Sequence, residues 1–244
     1  TFHSAVFLQT TGGKFIKTSQ PALLKDSMWE NVAATWVDVN NDTHPDLVIA
    51  TGGNEYYRKD THLLPLLYLN DGKGNLTKSG DAFSGIYYTQ SAVAAFDFSG
   101  DGFKDLFIAG RAEPWNYGNT TRSYLLQNDG QGKFVDVTAK VCPELSEPGM
   151  VTDAKWIDMN KDGSEDLLVC YEWGGIDAFI SQNKGFKKTP VCNENGWWNF
   201  ILPFDADNDG DLDLIAGNFG LNSKLRASKE QPVSMYYNDF DNNF

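Results

Sequence analysis

Four short turns carry oxygen donors at one fixed spacing. Asp38, Asn40, Asp42 and Asp46 form the first, and Asp97, Ser99, Asp101 and Asp105 the second. Asp158, Asn160, Asp162 and Asp166 form the third, and Asp205, Asp207, Asp209 and Asp213 the fourth. The donors stand at positions 1, 3, 5 and 9 of each turn, and position 6 is Gly102, Gly163 or Gly210, with Thr43 in the first. Alternate residues of a tight loop aim their oxygens inward, and glycine permits the reversal. Position 7 (His44, Phe103, Ser164, Asp211) adds a backbone carbonyl. This donor set suits a hard divalent cation such as calcium, which takes about six to eight oxygens. Thirteen aspartates occupy these positions and would repel one another without a counter-ion. A metal-free Asx turn accounts equally well for a single loop, but four loops in the same register favour calcium. Ser99 is a weaker ligand than a carboxylate, and Thr43 is β-branched and resists a positive φ.

The segments around the turns show what must hold them. Position 12 is Ile49, Ile108, Val169 and Ala216, not the bidentate glutamate of a helix–loop–helix site. Each turn is followed by a β-prone run such as Leu47-Val48-Ile49-Ala50 or Leu106-Phe107-Ile108-Ala109. A second repeat follows the first: Asn70-Asp71-Gly72 and Asn128-Asp129-Gly130, with a worn copy at Gln182-Asn183-Lys184-Gly185. Asn-Asp-Gly between β-prone runs signals a hairpin. The N-terminus carries the same element around Gly12-Gly13, and Tyr236-Tyr237-Asn238-Asp239 begins another. The unit reads strand, acidic turn, strand, aromatic loop, strand, Asn-Asp-Gly turn, strand. Four-stranded sheets of this kind bury both faces by stacking radially. The expected fold is therefore all-β, a β-propeller of four-stranded antiparallel blades with about four present. The repeats are expected at 1–30 (partial), 31–90, 91–150, 151–198 and 199–244. They belong either to a larger ring or to one in which the two ends share a blade. No segment shows a helical period, and 223–231 reads as a loop.

The chain has 244 residues, 41% of them apolar and 14% aromatic, so a packed core is expected. A net charge of −13 excludes nucleic acid as a partner, because phosphate binding needs clustered Lys and Arg. No apolar run is long enough to span a membrane. The chain opens on Thr1 with no charged-then-apolar leader, as in a processed or excised segment. Cys170 reads as a buried apolar residue. Cys142 and Cys192 follow similar hairpins in successive repeats, a placement that admits a disulfide. His3, His44 and His62 are scattered, and no Ser-His-Asp or zinc spacing appears.

Residues 156–169 (Trp-Ile-Asp-Met-Asn-Lys-Asp-Gly-Ser-Glu-Asp-Leu-Leu-Val) and 204–217 resemble the FG-GAP or VCBS repeat of integrin α propellers and of many secreted bacterial proteins. The resemblance implies a seven-bladed ring in full-length members. It also implies calcium loops joining the first two strands of each blade, where the ion stiffens the blade and does no chemistry. An extracellular or cell-surface location follows from it, within a longer multidomain chain. Because loops of an up-and-down blade alternate between two ends, the loops after the second strands should gather opposite the acidic turns. They contain Glu55, Arg111, Glu113, Trp115, Glu172 and Trp173, the candidate ligand-binding residues for a glycan or protein. The expected function is a calcium-stabilised binding or scaffold module with no catalytic residues. The alternatives are a polysaccharide lyase, with Glu113 near Arg111, and a purely structural spacer.

Overall fold

The computed structural model describes residues 4–183, 185–220 and 223–238. His3, Lys184 of the worn turn and Asp239 of the C-terminal hairpin signal lie outside them. Strands β1 (Phe7–Gln9) and β2 (Phe15–Lys17) form a hairpin, followed by the single-turn helix α1 (Pro21–Lys25). A first four-stranded sheet contains β3 (Glu30–Val37), β4 (Asp46–Gly52), β5 (Leu66–Asn70) and β6 (Leu76–Ser79). A second contains β7 (Thr89–Phe96), β8 (Asp105–Ala112), β9 (Tyr124–Asn128) and β10 (Phe134–Asp136). Both are antiparallel meanders whose order in space is their order in sequence. After the short helix α2 (Thr138–Val141) come β11 (Met150–Ile157), β12 (Asp166–Gln182), β13 (Gly185–Phe204) and β14 (Asp213–Asn218). The two helices are 5 and 4 residues long, too short to leave a periodic trace in the sequence.

β12 and β13 are each two blade strands run together. The Ser181 N–H donates to Asp166 Oδ1 at 2.7 Å. Fifteen extended residues would separate them by roughly 50 Å, so β12 folds back on itself. The reversal falls at Trp173, whose φ is 67°. The far half of β12 pairs with the start of β13, from Gln182↔Gly185 to Ile176↔Cys192. The end of β13 then pairs with β14, from Phe204↔Asp213 to Trp198↔Asn218, which opens a fourth blade.

The second strands explain why the sheets stack. After the opening aspartate each runs apolar for three or more consecutive residues, so both faces must be covered. β4 is buried throughout. On one face Leu47 and Ile49 pack with Leu23, Leu66 and Tyr68. On the other, Val48 and Leu67 pack with Leu106, Ile108 and Leu126 of the next sheet. Phe107 and Ala109 meet Leu167, Val169 and Phe179, while Leu168 and Cys170 meet Ile201 and Leu214. Each sheet thus covers its sequence neighbour, as propeller blades do. The first strands adjoin: Ser91 Oγ donates to the Val151 carbonyl at 2.6 Å, and Thr152 Oγ1 to that of Trp198 at 2.7 Å. Part of the aromatic content fills the gap between blades. Trp156 lies 5.3 Å from Phe96 and 5.8 Å from Phe186.

All three cysteines are free thiols. Cys142 belongs to the core between the second and third blades and Cys192 to that between the third and fourth, so a blade separates them and they form no disulfide. Burial pushes the Cys142 thiol up to about 12.

Candidate functional site

The four acidic turns share one hydrogen-bond scaffold. The position 1 carboxylate accepts from the position 6 N–H in each: Thr43 to Asp38 at 2.7 Å, Gly102 to Asp97 at 2.9 Å, Gly163 to Asp158 at 2.9 Å and Gly210 to Asp205 at 3.0 Å. The position 5 carboxylate accepts from the position 7 N–H: His44 to Asp42, Phe103 to Asp101, Ser164 to Asp162 and Asp211 to Asp209, all within 3.0 Å. Those donors hold the carboxyls of Asp42, Asp101 and Asp162 below the usual carboxylate range. Asn40 and Asn160 each donate an amide N–H to the position 5 carboxylate, at 3.0 and 2.9 Å. Thr43 reaches a φ of 71° and so follows its glycine sisters despite its branched side chain.

The position 9 aspartates have a second task that spacing alone did not reveal. Asp46, Asp105 and Asp166 are wholly buried. One oxygen of each accepts from the turn's own backbone, Val39 at 3.1 Å, Ser99 at 3.0 Å and Met159 at 3.1 Å. The other accepts from the third strand, Asn70 at 2.8 Å, Asn128 at 2.9 Å and Ser181 at 2.7 Å. Each is a clamp between the acidic turn and the strand that leads to the Asn-Asp-Gly turn. Desolvation by burial pushes all three carboxyls upward. The amides of Asn70 and Asn128 complete the clamp by donating to the carbonyls of Pro45 and Lys104, at 2.9 and 3.0 Å. The recurrence of asparagine just before Asp-Gly was the available signal. The glycine of that turn is fixed twice over. Gly72 and Gly130 have φ of 72° and 77°, and the rings of His44 and Phe103 lie where a Cβ would point.

The fourth turn differs. Asp205, Asp207 and Asp209 bring carboxylate oxygens within 4.8 Å of one another. Asp205 Oδ1 is buried and has no hydrogen-bond partner, whereas the corresponding oxygens of Asp38, Asp97 and Asp158 accept backbone N–H groups. Asp213 is exposed, though it still accepts from the Ala206 N–H at 2.9 Å. The turns also touch one another. Asn41 Nδ2 donates to the Gly102 carbonyl at 3.1 Å, and Lys161 of the third turn pairs with Asp211 of the fourth.

At the opposite end the predicted residues divide. Arg111 donates from Nε and Nη2 to Glu172 Oε2, both at 3.0 Å, which ties the second blade to the third. Tyr117 donates to Glu172 Oε1 at 2.5 Å and accepts from Trp173 Nε1 at 2.9 Å. Burial and the Glu172 hydrogen bond push the Tyr117 hydroxyl upward. The structure therefore brings Arg111, Glu172 and Trp173 together around Tyr117. Glu113 accepts instead from Asn119 at 2.7 Å. Trp115 stands 73% exposed, with Tyr57 edge-on at 6.1 Å. Glu55 is exposed on the first blade. Trp197 lies 5.1 Å from Trp173 and 5.3 Å from Phe219, which extends the row to the fourth blade.

Among curated proteins nothing matches the chain. It is similar to the crystal structure of the V. cholerae biofilm matrix protein Bap1, at 19% identity and a TM-score of 0.44 over 77% of this chain. That similarity spans only 28% of the Bap1 chain. No helix among the described residues is long and apolar enough to cross a membrane. The model of the FG-GAP-like repeat matches residues 38–108 and 158–216, more than half of the chain. Each matched stretch opens on a position 1 aspartate and ends in the second strand of the following repeat. The chain belongs to the FG-GAP-like repeat family.

Proposed function

We propose that this chain is a calcium-stabilised binding or scaffold module of an extracellular or cell-surface protein, which meets a glycan or protein partner through the end opposite its acidic turns. The observation that carries the calcium reading is Asp205 Oδ1. A buried carboxylate oxygen without a donor is costly, and a cation between Asp205, Asp207 and Asp209 would satisfy it. Asp205, Asp207, Asp209, Asp213 and the Asp211 carbonyl would hold the ion there. In the other turns the residues at positions 1, 3, 5 and 7 would do so around Asp38, Asp97 and Asp158, above the buried position 9 clamps. Bound calcium supplies the charge that lets converging carboxylates share one turn.

The module is read as non-catalytic. A proton-abstracting carboxylate must be free to reach its substrate, and Glu172 is held by Arg111 and Tyr117, Glu113 by Asn119. Release of unsaturated uronides from an acidic polysaccharide would overturn that point. The test of the main reading is thermal melting with calcium or with chelator. The wild type is expected to melt higher in calcium. Asp209→Ala should lose part of that gain, while in chelator it forfeits only the solvent-exposed Asp211 N–H bond and melts close to the wild type. Identical melting of the wild type in both conditions would refute the calcium reading.

A further inference from the structure

We propose that the row of aromatic rings crossing this face, with Trp115 as its main contact, binds an extended, uncharged polysaccharide. This rests on the reading above that the end opposite the acidic turns is the binding face, and it names the ligand class. The row runs from Tyr57 in the first blade through Trp115 and Tyr117 in the second and Trp173 in the third to Trp197 and Phe219 at the fourth.

Trp115 is the residue hardest to explain by packing. Glu113, Pro114, Trp115 and Asn116 form a tight turn closed by the Asn116 N–H on the Glu113 carbonyl at 3.0 Å. Trp115 takes its third position with a φ of 70°, where glycine or asparagine is the ordinary choice. The reward is not burial, because the ring is 73% exposed. A bulky residue held in a strained conformation, with its ring in solvent, points to a task outside the fold. Trp173 shares the positive φ, at 67°, but its partly buried ring packs on Trp197 and donates to Tyr117, so Trp115 alone has no packing to explain it.

The surroundings select the ligand. The rings fall into two groups, Tyr57 with Trp115 and Trp173 with Trp197 and Phe219, and hydrogen-bonding groups stand beside and between them. Those groups are Arg58 over the Tyr57 ring at 5.4 Å, Asn116 beside Trp115, with the Asn116 amide oxygen accepting from the Tyr237 hydroxyl at 3.4 Å, and the Arg111–Glu172–Tyr117 cluster before Trp173. Sugar rings present apolar C–H faces and hydroxyl edges together, and the neighbouring blades offer rings and hydrogen-bonding groups to match both. Charge argues against an acidic chain. Arg111 is already neutralised by Glu172, Arg58 on the Tyr57 ring has Glu55 exposed three residues before it, and the whole chain carries −13.

The test uses the full 244-residue chain in calcium on an array of hexasaccharides. The array carries β-1,4-glucan, β-1,3-glucan, mannan, galactan and xylan, with oligogalacturonate as the acidic arm. At least one neutral hexasaccharide is expected to bind, and its disaccharide about tenfold more weakly. Trp115→Gly should weaken hexasaccharide binding by at least about tenfold and melt no lower than the wild type, because glycine relieves the strained φ. Undiminished binding by Trp115→Gly, or a lowered melting temperature with binding retained, would show Trp115 to be a packing residue and sink the proposal. Binding confined to oligogalacturonate would overturn the ligand class while leaving the binding face in place. A calcium-stabilised chain that binds nothing on the array overturns it as well.

Discussion

Thr43 holds a φ of 71° where its three sister turns place Gly102, Gly163 and Gly210 at 92°, 86° and 87°. A β-branched residue in that region stores strain of about 1–3 kcal/mol, only part of which glycine returns as unfolded-state entropy. Thr43→Gly should therefore stabilise the chain by about 1 kcal/mol, or roughly 2–4 °C in melting temperature. Calorimetry in chelator isolates the backbone effect from any change in metal affinity, and a lower melting point there would contradict the strain argument. At this scale the sequence was informative because the turns repeat. One acidic loop is ambiguous, but four copies identify which positions carry donors and which carry glycine. Asp205 Oδ1 was not legible, because its missing partner depends on where the Asp209 backbone N–H falls, and spacing does not determine that. Nor was the engagement of Glu172, whose partners Arg111 and Tyr117 are 61 and 55 residues away.

The acidic turn, as an element, is held by two carboxylate systems with different sensitivities to metal. The position 1, 3 and 5 groups lie at the rim of the turn. The position 9 aspartate lies beneath it and serves two backbone N–H groups whether or not an ion is present. Asp105 makes this separable: it accepts from Ser99 at 3.0 Å and Asn128 at 2.9 Å while wholly buried. Asp105→Ala strands both donors, at about 1–3 kcal/mol each. It should lower the melting temperature in chelator as much as in calcium, whereas Asp209→Ala, which frees only an exposed N–H, acts mainly in calcium. If Asp105→Ala behaved like the wild type in chelator, the buried carboxylate would be a metal ligand and not a clamp. Strand identities were readable from the repeated apolar runs and the Asn-Asp-Gly signal. The merging of strands within β12 and β13 was not. The Trp173 reversal keeps its ladder through a bulge, and its Gly174-Gly175 pair reads in the sequence as a loop, with nothing to show that the ladder runs on through it.

Across the whole molecule, the same strand sequence meets unequal surroundings. Leu106-Phe107-Ile108-Ala109 in β8 and Leu214-Ile215-Ala216-Gly217 in β14 are near copies, yet β8 is buried at its first six positions while β14 is partly exposed throughout. The reason is stacking: among the described residues β8 has a blade on each face, and β14 has one on a single face. Phe200, Leu202, Phe204 and Ile215 are each about half exposed as a result. The N-terminal end is similar, with Phe7, Phe15 and Ile16 more than half exposed. Repeat counting anticipated about four blades but could not show which faces remain uncovered, since that depends on neighbours and not on composition. In a stack held by nearest-neighbour contacts, stability is set by how many interfaces must open. Amides of β8 exchange only when two interfaces are lost together, and those of β14 when one is. Hydrogen exchange in calcium should therefore show β8 protected at least about a hundredfold more than β14, with β1 and β2 exchanging early as well. Equal protection across β8 and β14 would mean that the blades unfold as one cooperative body. The substitution counterpart is Phe107→Ala, which removes a ring enclosed by two blades at about 3–5 kcal/mol. Ile215→Ala, at 55% exposure, removes contacts that are largely absent already and should cost well under half as much.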